Sequence, residues 1–534
     1  MIGHGEIDNA EWYWVFTASA VLLVLISVPF VWAYAVAEPD AHFMGILNNP
    51  IDGASYAAKM YQGLQGDWLV KLPFTPEPHH GILISTFYVA LGHLARLLQI
   101  EIMLVFHAAR LIGALVMLLA LYRFVSDWTD DVTQRHVTWA LAALGSGFGC
   151  VALLFNVATP DLLVLPEAFP LQAAYTNVHF PWSIAAGALV AHVLVRVTEF
   201  PQADRLPSIY PLALMAAGLF LGFTQPFILV PLGIGFAAWC IARWRWLHIN
   251  PLRALGWGAF MLVSAGLAMA YNIWGVTRGG PVFSAWYAAN VTLSPPVWHY
   301  LVAFAPLLIL AAVGIWGGRK QLAQDQIFLL VWFAAGALLL YAPLGLQRRF
   351  SIGLIMPLAV FAGIGLWRVV VPRVGQRMRS LVVLGAFAVS VPTTLIAVLL
   401  PLAGVLVVKG LPTGDYYFVS NQEIEALQWI ADQPIDAPLV LASPEISLRV
   451  PLYGGRVVYA HPMETVDADH RRQTVLAFYQ GVSCGVIDRE GVNFVFVGRR
   501  ERALAAGGKV CEIPGEPVFT SSGGEVTIYA VTSQ

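Results

Sequence analysis

Residues Met44–Gly81 read MGILNNPIDGASYAAKMYQGLQGDWLVKLPFTPEPHHG, a polar stretch with three carboxylates and two adjacent histidines, lying just after a long apolar segment. A polytopic chain can join two spans with a few residues, so a long charged connection points to chemistry or docking. Outward from this stretch the sequence is overwhelmingly apolar. Hydrophobic residues make up 58% and charged ones 12%, and the mean hydropathy is +0.69. That composition excludes an ordinary soluble domain and defines an integral membrane protein.

Apolar segments able to cross a hydrocarbon core of about 30 Å recur from Trp12 to Val408. They fall near Trp12–Val36, Glu101–Val125, His136–Phe155, Asn177–Val197, Ser208–Phe223, Pro226–Ala242, Ala254–Val276, Trp298–Trp316, Gln326–Pro343, Ser351–Val371 and Leu381–Val408. The expected fold is a polytopic α-helical membrane protein of about eleven spans plus juxtamembrane helices, followed by an α/β domain. Residues 1–408 form the membrane part, with a first external loop at 37–100, and 409–534 form the C-terminal domain. No cleavable signal is evident, so the first apolar stretch is expected to remain as an anchor.

The net charge of −2 gives no support to nucleic-acid binding. Basic residues cluster in alternate connections: Arg123 and Arg135; Arg196 and Arg205; Arg243, Arg245 and Arg253; Arg319 and Lys320; Arg373, Arg377 and Arg379. Those connections should be cytoplasmic, as should the N-terminus with Glu6, Asp8 and Glu11, which puts the first loop and the C-terminal domain outside. Counting Ile82–Ile100 as another span would reverse every later loop. The segment is therefore expected to lie in the outer interface, with His93 and Arg96 toward water.

Within the C-terminal domain, Ile424, Leu427 and Ile430 mark a helix over Asn421–Gln433. Strand-like runs at Leu439–Ala442, Val457–Ala460 and Phe494–Val497 alternate with helical stretches at Ser447–Tyr453, Asp467–Gly481 and Arg499–Ala506, and a hairpin closes the chain at Val518–Thr520 and Val526–Val531. This order predicts a three-layer α/β domain, able to bind a ligand at its strand ends or to act as a lid or docking module. Cys484 and Cys511 share this domain and can form a disulfide in an extracytoplasmic compartment; Cys150 and Cys240 read as small buried residues inside spans. The sequence carries no CxxC, Walker loop or GxGxxG after a strand.

Asp52 and Tyr56, followed by Lys59 and Met60, fit a variant of D-x-x-x-Y-x-x-x-A. Pro76–Gly81 precedes the interface segment, and His107–Tyr122 has the form of an A-R-L-x-G span. In these features, in its span order and in its closing Glu525–Val531, the chain resembles the GT-C superfamily of membrane glycosyltransferases, which use sugars linked to polyprenyl phosphate. Bacterial aminoarabinose transferases and protein mannosyltransferase-like enzymes are members. The resemblance implies a cell-membrane, multi-pass enzyme whose first external loop carries the acidic catalytic site and whose partners are membrane lipids, a polyprenyl-phosphate sugar and an acceptor of unknown kind. Asp52 is followed by Gly53 where the family often has a second acid, and Pro76–Gly81 lacks the family's Lys-Pro-Pro run.

Sugar transfer from a lipid phosphate needs a base for the acceptor proton and a cation for the departing phosphate. Asp52 is the first choice of base, although an Asp before Gly53-Ala54-Ser55 would equally serve as a helix N-cap. Asp40 is the competing base, and Glu167 is a second-loop acid that a helix start after proline explains nearly as well. Arg348 and Arg349 can hold phosphate in bidentate fashion or snorkel as anchors; Lys59, Tyr56 and His179 are further substrate-binding candidates. Glu77, His79 and His80 could bind a divalent metal, Mg or Mn, although adjacent histidines point apart on regular secondary structure. The rival functions are a non-catalytic membrane scaffold with a docking domain and, after it, a transporter. Convergence of the loop acids on a common cavity discriminates the first, and intramembrane acids at a midplane site the second.

Overall fold

The computed structural model describes residues 6–199, 209–318, 326–408, 414–505 and 510–531. Arg205, Arg319 and Lys320 of the charge pattern lie outside them, as does Lys409 at the expected domain boundary. Among the described residues eight helices are long and apolar enough to cross a membrane, or nine when the bent pair Gln376–Ser390 and Pro392–Val408 counts as one span. The expected number of eleven is thus not reached. Two of the forecast spans are the shorter apolar helices Ile209–Thr224, of 16 residues, and Ile327–Leu339, of 13.

The chain begins with α1 (Asn9–Ala35), α2 (Pro50–Gln65), α3 (Thr86–Leu98), α4 (Ile102–Ser126), α5 (Val132–Leu144) and α6 (Gly149–Leu153). Helix α3 has 13 residues, which at about 1.5 Å each is too short for the bilayer core. It is not a span. The ends of α1 and α4 agree, because Arg135 pairs with Glu11 at 3.0 Å and the Tyr122 hydroxyl donates to the same carboxylate. The start of the chain and the connection before α5 therefore lie at one end of the helical unit.

Two compact units make up the molecule. The first comprises Met1–Ser27, His107–Tyr271 and Val291–Leu400; the second comprises Val28–Phe106, Asn272–Asn290 and Pro401–Gln534. The first is a helical bundle with a notable break. Between α5 and α6 the chain unwinds at Gly145–Phe148, and the span Gln376–Val408 bends by 47° before Pro392. Freed backbone groups in an apolar bundle must find partners. The Ser146 N–H donates to the Ser390 carbonyl at 2.6 Å, the Thr393 hydroxyl donates to the Gly147 carbonyl at 2.6 Å, and the Gly147 and Gly149 N–H groups donate to Asp161.

The second unit joins the first loop to the C-terminal segment. Strand β1 (Ala41–Phe43) pairs antiparallel with β2 (Phe418–Ser420). Strands β3 (Leu439–Leu441), β4 (Arg456–Val457), β5 (Phe494–Val497), β6 (Gly515–Thr520) and β7 (Thr527–Val531) form a mixed sheet in the order β4-β3-β5-β7-β6, with β4, β3 and β5 parallel. Alternate residues face opposite cores. Val440, Phe494 and Phe496 pack with Ala54 and Ala58 of α2, Phe74 of the first loop, and Leu427 and Ile430 of the helix Asn421–Ala431. Leu439, Leu441 and Val495 pack on the other side with Val475, Phe478 and Tyr479 of the helix Ala468–Tyr479. Both faces are covered, as the β-rich runs require. Cys484 and Cys511 are disulfide-bonded, with Cα atoms 5.4 Å apart.

Helices α2 and α3 pack closely because both are glycine-bearing at the contact. A Cβ on Gly92 would lie 2.0 Å from the Met60 carbonyl, and one on Gly63 would lie 2.2 Å from that of Val89. Larger residues would force the pair apart. The outer side of α3 exposes Leu97 and Leu98, whereas His93 stacks on Trp68 and its Nε2–H donates to the Asp67 carbonyl at 3.1 Å.

Candidate active site on the first-loop helix

The start of α2 is set by Asn49, whose backbone is left-handed (φ 51°), and by Pro50 at the first helical position. Asn49, and not Asp52, is the cap residue, since the Gly53 N–H bonds to the Asn49 carbonyl. Asp52 sits one turn in, where the N-terminal dipole favours a carboxylate. Residues 52, 55, 56 and 59 then share one face of the helix by their i, i+3, i+4 and i+7 spacing. This face meets the segment beyond the carboxyl end of β4.

Asp52 Oδ1 accepts a hydrogen bond from His461 Nε2 at 3.1 Å, and its other oxygen accepts from the Asn49 amide. His461 Nδ1 in turn accepts the Met463 N–H at 3.1 Å. The proton of the neutral ring is thereby assigned to Nε2, the nitrogen aimed at Asp52. Burial pushes the Asp52 carboxyl up, but the hydrogen bonds from His461 and Asn49 and the Lys59 ammonium outweigh it and hold the group below the usual carboxylate range. Asp52 is therefore ionised at neutral pH, and its side chain is 35% exposed.

About two turns further on, Lys59 Nζ donates to Glu464 Oε1 and to Ser55 Oγ, each at 2.6 Å, and Ser55 Oγ donates to the same Glu464 oxygen. Both charged side chains are 4% exposed. Burial raises the Glu464 carboxyl, yet the Lys59 charge and the hydrogen bonds from Lys59 and Ser55 bring it below its ordinary value. A buried pair of this kind is costly to break, because the survivor keeps its charge without a partner. The Lys59 charge is neutralised inside the unit, so contact with a substrate would require opening this pair. Tyr56 stacks on Tyr88 with centroids 4.2 Å apart and planes within 6°.

The other first-loop candidates lie apart from this face. Asp40 has an exposed side chain next to β1, and its carbonyl accepts from the Asn421 N–H. Glu77 accepts from Thr75 and from Arg471 Nη2 at 2.6 Å. His79 has both ring nitrogens occupied by backbone, Nε2 accepting from the Leu72 N–H at 2.9 Å and Nδ1 against the Glu77 carbonyl at 2.8 Å, and His80 is exposed. Glu77, His79 and His80 thus do not fit a divalent ion. Among the described residues no group of three or more His, Cys, Asp and Glu is arranged to hold one.

The remaining candidates belong to the helical unit. Glu167 lies in the turn Pro166–Ala168, which packs against the turn Gln347–Ser351 carrying Arg348 and Arg349. The latter turn also packs against Pro226–Ile228, and the Arg349 guanidinium stands 5.8 Å from the Phe227 ring. His179 faces Gln225 at 3.2 Å. Among the described residues, Arg348 Nε is buried without an acceptor. Asp161, in the same connection as Glu167, is a backbone clamp that accepts the Gly147 and Gly149 N–H groups.

His461 and Glu464 were missed in the sequence. Their signal is faint: two polar side chains in the run after a short strand, where parallel strand ends deliver functional groups. The neighbouring crevice between the ends of β3 and β5 is filled by the protein itself, since Glu501 accepts from the Ser443 N–H at 2.8 Å and the Gly498 N–H at 2.9 Å.

Comparison with known structures places this architecture. Archaeal oligosaccharyltransferase AglB from Archaeoglobus fulgidus, in complex with an inhibitory peptide and a dolichol-phosphate, matches with a TM-score of 0.55 at 13% identity, over 92% of this chain and 70% of its own. ArnT from Cupriavidus metallidurans matches in the apo state with 0.51 at 13% identity, over 97% and 100%, and bound to undecaprenyl phosphate with 0.52 at 14%, over 99% and 100%. No protein-family profile and no curated protein sequence matches the chain. The chain shares the fold of AglB and ArnT, with apolar helices long enough to cross a membrane and a sheet-containing C-terminal domain.

Proposed function

We propose that this protein is an inverting glycosyltransferase that moves a sugar from a polyprenyl phosphate to a lipid, glycan or protein acceptor at the outer face of the membrane. The N-terminus is then cytoplasmic, and the first loop and residues 409–534 are extracytoplasmic. The observation that carries this reading is an ionised, one-third exposed Asp52 held at the start of a first-loop helix in a GT-C fold. In the proposed step the acceptor hydroxyl gives its proton to Asp52 as its oxygen bonds to the anomeric carbon. The bond from that carbon to the phosphate oxygen breaks, and the departing phosphate keeps the electron pair. Arg348 and Arg349 bind that phosphate, a role supported by the buried Arg348 Nε that has no protein acceptor among the described residues. Glu167, on the adjoining turn, is the candidate acid beside the donor. No step is assigned to a metal, because the first-loop acid and histidines do not fit one.

The test uses purified protein in bacterial polar-lipid vesicles with undecaprenyl phosphoryl-[14C]glucose, -mannose and -galactose, and envelope glycolipid as acceptor. Asp52→Asn keeps the shape and removes the base, so transfer should fall by about 10³-fold; full activity would refute the assigned role. Arg348→Lys loses the planar fork and should raise the donor KM. An inert wild-type protein across the donor set would return the reading to a scaffold.

A further inference from the structure

The geometry points to His461 as a positioning residue for Asp52: the C-terminal segment completes the first-loop site by holding one carboxylate oxygen through a fixed Nε2–H. This rests on the proposal that Asp52 is the base. Three observations carry it. His461 is 4% exposed and reaches Asp52 at 3.1 Å from a segment more than 400 positions away in sequence. Its second nitrogen is occupied by the Met463 N–H, so the ring can donate to Asp52 but can take no proton at Nδ1 without breaking that bond. The ring is also braced from behind, with Phe74 at 5.8 Å and the Thr465 hydroxyl bonded to the Phe74 carbonyl at 2.6 Å.

A free Asp side chain rotates about two bonds. With Oδ1 held by His461 and Oδ2 touched by Asn49, the carboxylate plane is set, and the approach of an acceptor hydroxyl is limited to the exposed remainder. The charged groups around it are Lys59 and Glu464, which neutralise each other. The donor that sets the direction of the base is therefore the imidazole. The Lys59–Glu464 pair lies about two turns along the same helix and ties α2 to the segment that carries His461, so loop and segment are aligned by two contacts. A misplacement of about 1 Å at a reacting group can lower a rate by about 10²-fold.

The experiment compares wild type, Asp52→Asn, His461→Ala and His461→Gln in the vesicle assay with the three undecaprenyl phosphoryl hexoses. Alongside it, the titration of Asp52 is read without turnover, from the pH dependence of carbodiimide-driven coupling to glycine ethyl ester at that residue by peptide mass spectrometry. The inference expects His461→Ala to lower kcat by about 10²-fold with the donor KM unchanged, which also shows that the variant is folded. Its acid limb and the Asp52 coupling midpoint should rise by about one pH unit, the equivalent of one lost hydrogen bond. His461→Gln, whose amide nitrogen can stand where Nε2 stood, should recover most of both. If Asp52→Asn is inactive while His461→Ala keeps kcat and midpoint, the positioning role is overturned and the base stands. If Asp52→Asn is fully active, both the base and the positioning of it are overturned.

Discussion

Asp52 and Asp161 are both carboxylates of connecting stretches, and their surroundings give them opposite characters. Asp161 is fully buried and receives the Gly147 N–H at 2.9 Å, the Gly149 N–H at 3.1 Å and the Thr159 hydroxyl at 2.7 Å. Burial pushes its carboxyl up in spite of these donors. Asp52 receives only side-chain donors, keeps a third of its surface open and is held below the usual range. A carboxylate that closes backbone N–H groups is architecture. One that is held by side chains and left open is available for chemistry.

The largest expected effect separates the two positions. Asp52→Asn should reduce transfer by about 10³-fold and leave the denaturation midpoint in detergent nearly unchanged, whereas Asp161→Ala should destabilise by about 2–3 kcal/mol by leaving the buried Gly147 and Gly149 N–H groups unmatched. Equal losses of stability in both would break the contrast. Next, Lys59→Met alone should cost about 3–5 kcal/mol because Glu464 is left charged and buried, and Lys59→Met with Glu464→Met should recover much of it; the double-mutant cycle in chemical denaturation measures this. A smaller effect is expected at Gly149, where a Cβ would stand 2.3 Å from Asp161 Oδ1. Gly149→Ala should cost about 1–3 kcal/mol, and a neutral result would show that the clamp can open.

The least effect, and the sharpest in sign, is the pH dependence. Glu464 is lowered on folding, so its contribution is present above the ordinary Glu value and fades as pH falls through the folded one; the stability gap between wild type and Glu464→Gln should close below about pH 4. Asp161 is raised, so it weakens the fold as pH rises through its folded value, and the gap between wild type and Asp161→Asn should widen in favour of wild type on acidification. Denaturation at stepped pH reads both. The same direction in both pairs would refute the assignment of opposite environments.

Much of this was legible residue by residue. Ile424, Leu427 and Ile430 announced the helix Asn421–Ala431, capped by the reciprocal bonds of Ser420 and Glu423. The β-rich runs at 439, 457 and 494 became three parallel strands. The segment Ile82–Ile100, expected to lie in the interface from the parity of the basic loops, carries a helix of 13 residues, Thr86–Leu98. The count of eleven spans is not confirmed among the described residues, because hydropathy reads apolar content and not helix length: Ile327–Leu339 is apolar and has 13 residues.

Composition and periodicity by themselves determined that the chain is a helical membrane protein with an acidic first loop and an α/β tail. These are local properties, carried by neighbours along the chain. What only the tertiary structure decided is which polar groups oppose each other: that His461, not a first-loop residue, touches Asp52, that Glu464 neutralises Lys59, and that Glu501 fills the crevice between two strand ends. Each of those pairs except the last spans some 400 positions, and a charge pattern in one dimension carries no record of such distances. Burial then sets the energy of every pair, and burial is a property of the folded chain alone.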